Sequence, residues 1–339
     1  MGNGTLRVGV IGTGGMGGRH ARNLAHRVAG AELVAVMDLD EERAAALAGE
    51  CGGAKVFGSG PELVHDRDVE AVLIASPDPT HADLAVACIE AGKPVLCEKP
   101  LGVDIADAQR VLDAEVAGGR KLVQVGLMRA FDPQHTAIKE AIDAGEIGRP
   151  VLFRGIHAHW RVPEVRTAVN VIVNSAVHDI HSARWLMGDD VASVYTSHVV
   201  DVPEQPESTR LVLLQLTFRG GGLASIEVNL DSSYGYEVVV DVAGERGTLR
   251  TPSLTGPVLR KGGGATRSIE PDWLARFETA YRIEAEAWVR AARAGGATGP
   301  TVWDGYCAMR VAEAAELSLE TGRAEAVLDE PRPALYAPA

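Results

Sequence analysis

Residues that could do chemistry gather at three places in this 339-residue chain. The first is Gly12-Thr13-Gly14-Gly15-Met16-Gly17, which fits G-x-G-x-x-G. Gly12 permits a tight turn, Gly14 lets the backbone approach a pyrophosphate, and Gly17 lets a helix pack close to a strand. Asp38 follows about 20 residues later, where a carboxylate that bonds a ribose 2′-hydroxyl is expected. That carboxylate repels a 2′-phosphate, which favours NAD over NADP. Arg43 lies too far along the next helix to reverse the preference. The second place is Lys99, which directly follows an apolar run and precedes Pro100. An X–Pro bond is cis at modest cost, and a cis bond here aims the ammonium into a crevice. The third is Asn174 with His178, four residues apart and so on one helix face, with His181 near that face.

These groups need elements to hold them. Residues 6–11 form a short apolar run rich in β-branched residues, as a buried strand should be. A helical pattern covers 16–29, and a second strand over 33–37 ends at Asp38. Strands over 71–75, 94–97 and 121–126 then alternate with helices over 82–91 and 105–117. Such alternation implies a parallel, doubly wound sheet whose ligand lies at the carboxyl ends of the strands. The expected cofactor-binding set is therefore Gly12, Gly14, Met16, Gly17, Asp38, Ser76, Pro77, His81 and Glu98. From about residue 148 strand patterns dominate, over 151–160, 191–199, 209–218, 223–230, 237–243 and 247–249. A helix over 170–187 interrupts them, and two amphipathic helices follow over 272–294 and 304–321. The expected fold class is α/β. A Rossmann domain spans 1–126, and an α+β substrate-binding and oligomerisation domain with a large open, mainly antiparallel sheet spans 127–339. The last helices are free to pack back on the first domain. An open sheet with helices on one face leaves the other uncovered, and a second subunit is a natural cover, so a homo-oligomer is expected.

Composition excludes several classes. Lys plus Arg is 33 against 46 for Asp plus Glu, a net charge of −13, which argues against nucleic acid or an anionic membrane surface as the main partner. No apolar run approaches the roughly 20 residues of a membrane-spanning helix, and the N-terminus lacks the apolar core of a signal peptide. Cys51, Cys88, Cys97 and Cys307 are scattered, which reads as reduced thiols in a cytoplasmic protein. His157, His159, His178 and His181 have spacings that a metal site permits, but no carboxylate or cysteine is clearly placed to complete one, so no metal is expected.

The order GTGGMG, Asp38, SPDPTH, CEKP, QVGLMRAFDP and VHDIHSARWL resembles the Gfo/Idh/MocA oxidoreductases, and among them the inositol 2-dehydrogenases. The likeness covers nearly the whole chain. It includes YGYEVVVDVAGERGTL at 234–249 and GPTVWDGYCAMR at 299–310, which are far more specific than G-x-G-x-x-G in a chain with 38 glycines. The resemblance implies a Rossmann domain with an open mixed sheet, assembled as a tetramer through that sheet. It implies reversible hydride transfer between NAD and a ring hydroxyl of a small cyclic polyol or sugar. Lys99 and His178 match the family's catalytic lysine and histidine. The family aspartate four residues before that histidine falls on Asn174. A carboxamide can orient the imidazole but cannot stabilise imidazolium as a carboxylate does. His181 and His135 stand where the family has an acidic residue and a tyrosine, and Ala130 replaces a second arginine after Arg129. Arg129, His157, His159 and Tyr236 are substrate-contact candidates by position. The departures leave open another ring substrate in the same family, a sugar or aminocyclitol dehydrogenase or ketoreductase. They also leave open a glycosidase with tightly held NAD, or an NAD-binding homologue that has lost catalysis.

Overall fold

The computed structural model describes residues 4–252 and 257–337. The chain divides into two compact units. The first comprises Met1–Phe131, Ala280–Met309 and Pro331–Ala339, and the second comprises Asp132–Thr279 and Arg310–Glu330.

The first unit is built on six parallel strands: β1 (Leu6–Ile11), β2 (Ala31–Met37), β3 (Lys55–Phe57), β4 (Ala71–Ile74), β5 (Val95–Glu98) and β6 (Val123–Gly126). Their order is β3-β2-β1-β4-β5-β6, so the strand order reverses between β1 and β4, the switch point at which such sheets bind ligands. Helices α1 (Gly15–His26), α2 (Glu41–Glu50), α3 (Gly60–His65), α4 (His81–Glu90) and α5 (Ile105–Gly118) supply the crossovers. The runs AVLI and VLCE are buried at every position, as strands covered on both faces must be. One face packs Ile11, Ile74 and Val95 with Trp303 and Tyr306, and the other packs Val8, Val10 and Leu96 with Trp288. The late aromatic residues thus complete the core of this unit. β3 and α3 were not expected from the sequence pattern. Two of the three β3 residues are exposed, and six residues are too few for a helical period.

The second unit carries a seven-stranded sheet. Its order is Thr248–Arg250, Glu237–Gly244, β7 (Pro150–Ala158), Leu223–Asn229, Leu211–Phe218, Val191–Val199 and Glu325–Ala326. Only β7 and Leu223–Asn229 pair in parallel, so the sheet is mixed and mainly antiparallel. The helix Val177–Met187 packs on β7. The single helix expected over 170–187 is divided. A turn of α-helix at Ala168–Val171 leads into a π-helical segment, Ile172–Ala176, before Val177–Met187. The run Val171-Ile172-Val173 enters this segment, and adjacent β-branched side chains lower the preference for a regular α-helix there.

Candidate active site

At the carboxyl end of β1 the glycines divide by purpose. Gly12 has φ +89°, and a Cβ there lies 2.4 Å from the Ala75 carbonyl oxygen. A Cβ at Gly17 lies 1.8 Å from the Gly12 carbonyl oxygen. The fold itself demands both. Gly14 differs, since a Cβ there meets nothing within 4 Å. It is the N-cap of α1 and makes no side-chain capping bond, whereas Asp40 and Asp104 cap α2 and α5. A glycine the fold does not need, at an uncapped helix N-terminus, fits the approach of a diphosphate. Met16 stands half-buried in the same first turn.

Asp38 follows β2. Its Oδ2 accepts from the Thr13 N–H at 2.7 Å and the Thr13 hydroxyl at 2.8 Å. Its Oδ1 accepts from the Asp40 N–H at 3.0 Å and Arg43 Nη2 at 2.6 Å. Burial opposes the charge, yet the Asp40, Arg43 and Thr13 donors hold the carboxyl far below the ordinary range. This corrects the expectation that Arg43 is remote. The α2 helix begins at Glu41, so Arg43 lies in its first turn and folds back over the N-cap.

The ends of β4 and β5 hold the next group. Ser76 Oγ and Thr80 Oγ1 are 2.6 Å apart, and Pro77 precedes the 3₁₀ turn Asp78–Thr80. His81 bridges two carbonyl oxygens, Nδ1 to Pro100 at 2.6 Å and Nε2 to Ser76 at 2.8 Å. It therefore ties the Lys99 segment to the β4 turn. The Lys99–Pro100 bond is cis and Lys99 is half-buried. Burial lowers the lysine's pKa, while Glu98 and Asp78 oppose that loss. Glu98 is buried, and its Oε1 lies 2.8 Å from His20 Nε2. Burial raises its pKa, but the His20 bond and the charges of His20, Lys99 and His81 outweigh it and keep the group ionised. Arg129 is buried in the turn Met128–Phe131 of the same unit.

In the second unit the structure brings His157, His159 and Tyr236 together and adds Asp179. His157 Nδ1 lies 2.9 Å from Asp179 Oδ2, and His157 Nε2 lies 2.9 Å from the Tyr236 hydroxyl. The His159 ring stacks on His157 at 4.7 Å, and Tyr236 stands edge-on to both. A carboxylate only accepts, so His157 donates from Nδ1 and accepts the Tyr236 proton at Nε2. Sequence reasoning passed over Asp179 because it lies off the Asn174–His178 face. Its signal was the single acidic residue in the run Val177–Met187. His178 is buried on that helix, and Asn174, on the π-helical segment, donates its amide to the Asn170 carbonyl at 3.1 Å. His181 stacks parallel to Trp185. His135 bonds Asp132 at 2.6 Å, and Arg276 holds both oxygens of that carboxylate. Among the described residues, no group of three His, Cys, Asp or Glu side chains is placed to hold a metal ion.

Residues 6–127 match the model of the Gfo/Idh/MocA oxidoreductase family, NAD-binding Rossmann fold, and residues 135–250 match the Gfo/Idh/MocA C-terminal domain. The chain belongs to the Gfo/Idh/MocA family. It is 50% identical over 333 residues to an inositol 2-dehydrogenase of Rubrobacter xylanophilus, covering 98% of this chain and 96% of that protein. It is 45% identical over 338 residues to inositol 2-dehydrogenase 1 of Saccharopolyspora erythraea, covering 98% and 99%. A solved myo-inositol dehydrogenase from Lactobacillus casei, in complex with NAD(H) and myo-inositol, aligns with a TM-score of 0.93 at 32% identity, covering 98% of this chain and 100% of that one. The Gfo/Idh/MocA description of the first unit as NAD-binding agrees with its open Gly14, uncapped α1 and ionised Asp38. No helix among the described residues is long and apolar enough to cross a membrane.

Proposed function

We propose that this chain catalyses the reversible, NAD-dependent oxidation of a ring hydroxyl of an inositol-like cyclic polyol to the ketone. NAD supplies the hydride acceptor when bound. Gly14 and the first N–H groups of α1 suit its diphosphate, Asp38 suits its ribose diol, and Met16, Ser76, Pro77, His81 and Glu98 complete its surroundings. His178 takes the hydroxyl proton as general base. Lys99, as ammonium, donates to the same oxygen and stabilises the developing alkoxide, the more strongly for being partly desolvated. Asn174 orients the imidazole. Arg129, His159 and Tyr236 bind the remaining hydroxyls, and His157 acts there through Tyr236. The ionised Asp38 favours NAD over NADP. Apolar residues on the outer face of the large sheet support a homotetramer. Four free, buried cysteines suit the reducing cytoplasm.

The observation that carries this reading is Lys99, whose half-buried ammonium sits beside the ionised Glu98 at the end of β5, two strands from the glycine-rich turn. The test is NADH formation at mildly alkaline pH across inositols, hexoses and sugar lactols, with NADP⁺ in parallel. Turnover of one inositol with NAD⁺ is expected. Silence on the whole panel with NAD binding intact sinks the polyol reading. It shifts the weight to cofactor binding without turnover, the second reading, which Asn174 in place of the family aspartate favours.

A further inference from the structure

Asp38 suits a ribose diol, yet its acceptor positions are already taken. A carboxylate offers about four lone-pair positions. Five donors reach this one. Oδ2 accepts from the Thr13 N–H and hydroxyl and, at 3.3 Å, from Arg43 Nε. Oδ1 accepts from the Asp40 N–H at 3.0 Å and from Arg43 Nη2 at 2.6 Å. The donors differ in what can move them. Thr13 is buried in the glycine-rich turn after β1, and the Asp40 N–H is backbone at the N-cap of α2. The fold fixes both. Arg43 is a long, half-exposed side chain, and its Nη1 already bonds Asp40 Oδ2 at 3.0 Å.

Arg43 gives Asp38 two donors side by side, one to each oxygen. A vicinal diol offers the same pair. Arg43 is also the one basic residue of α2, in a first turn with Glu41 and Glu42, where the helix dipole favours acids over cations. The carboxylates of Asp38 and Asp40 hold it there against that preference. We propose that Arg43 is a stand-in for the adenosine ribose of NAD, which must displace it from Asp38, and that Arg43 thereby limits how strongly the site prefers NAD to NADP. The displaced guanidinium keeps Asp40 as its partner. NAD gains nothing from it, whereas the 2′-phosphate of NADP can pair with it. This role of Arg43 rests on the one given to Asp38 above and not on turnover of a polyol.

The test compares the full-length protein with Arg43→Gln. NADH and NADPH binding are read by nucleotide fluorescence. NAD⁺ and its analogue lacking the adenosine 2′-hydroxyl are read by calorimetry. Arg43→Gln is expected to bind NADH at least about threefold more tightly, the scale of one exposed ion pair removed, and NADPH at least about threefold more weakly. The gain is expected to be smaller for the 2′-deoxy analogue, which has one hydroxyl fewer to put in the guanidinium's place. A merely structural Arg43 lowers the thermal midpoint and leaves the affinities alone. Unchanged affinities overturn the proposal. So does weaker NADH binding, which marks a guanidinium that holds the cofactor. A gain equal for NAD⁺ and the analogue overturns it as well, since a distant charge acts on both alike. Absence of polyol turnover alongside the expected affinities faults the functional reading and not this one.

Discussion

Asn174 stands on a π-helical segment with its amide on the Asn170 carbonyl, where the family likeness puts an aspartate. A carboxylate there favours imidazolium, so Asn174→Asp raises the His178 pKa. Below that pKa the base is protonated and idle. The acid limb of kcat/KM for oxidation therefore moves to higher pH, and the plateau rises by about threefold, a fraction of the tenfold carried by one pKa unit. A steady-state pH profile checks both, and an unmoved limb removes position 174 from the histidine's surroundings. Asp38 makes a second prediction. It now holds Arg43, so Asp38→Ser removes the group that repels a 2′-phosphate and releases a guanidinium that can bind one. The ratio of kcat/KM for NAD over NADP is expected to fall roughly a hundredfold, about 2.8 kcal/mol. A ratio that does not move places the discrimination elsewhere. Single residues were legible where a motif fixes them, as with Gly12, Asp38 and Lys99. They were not where the partner is remote in sequence. Asp179 meets His157 across 22 positions and His20 meets Glu98 across 78, pairings that no local spacing announces.

At the scale of elements, the buried parallel strands were readable because each is an unbroken apolar run. The π-helical segment was not, since one wide turn displaces the apolar pattern by a single residue, too little to stand out in a helix that is buried on most sides. Asp132 shows another limit. It stands at the N-cap of the helix Pro133–Asp143, yet its side chain makes no capping bond. The side chain instead accepts from His135 and from both Arg276 Nη atoms, tying the start of the helix Pro133–Asp143 to Arg276 on the long helix Trp273–Arg293. Burial opposes its ionisation, and the His135 and Arg276 bonds overcome that and hold it far below the ordinary carboxylate range. A depressed folded-state pKa stabilises fully above the unfolded value of about 3.9 and is lost as pH falls through the folded one. Asp132→Asn leaves the partly buried Arg276 guanidinium without its counter-charge and is expected to cost about 3 kcal/mol near neutral pH. The deficit should shrink as both proteins are taken below pH 4. Denaturant melts from neutral to acid pH measure it. A deficit independent of pH assigns the loss to packing instead.

At the scale of the whole molecule, the sheet of the second unit sets its chemistry apart from its outer surface. Along Leu211–Phe218 the residues Val212, Leu214, Leu216 and Phe218 are buried, and the alternate positions face outward. Register adds neighbours to that outward face: Leu211 pairs with Val199, Gln215 with Tyr195, and Thr217 with Leu223. Val199, Leu223 and Tyr195 are 54%, 52% and 38% exposed, and around them lie Ser193, Ser197 and Ser225, with Glu227 paired to Leu213 and Arg154 beside Ser225. On a chain of net charge −13 such a patch is the place where association can outweigh self-repulsion. The alternation was visible in the sequence. Which face is left outward was not, because both carry apolar residues and only the helix that packs on the sheet decides between them. The proposed tetramer uses this face. In a two-fold contact each substitution is presented twice, so one charge at its centre is amplified. Leu213→Arg is expected to raise the dissociation constant at least about thirtyfold, or 2 kcal/mol, the scale of a central interface residue. Its circular dichroism should be unchanged, because the side chain points away from the core of its own chain. Sedimentation velocity at micromolar concentration distinguishes the outcomes. A tetrameric wild type that Leu213→Arg breaks into smaller species places the contact on this face. A tetramer that survives the substitution puts the contact elsewhere, and a monomeric wild type sinks the tetramer altogether.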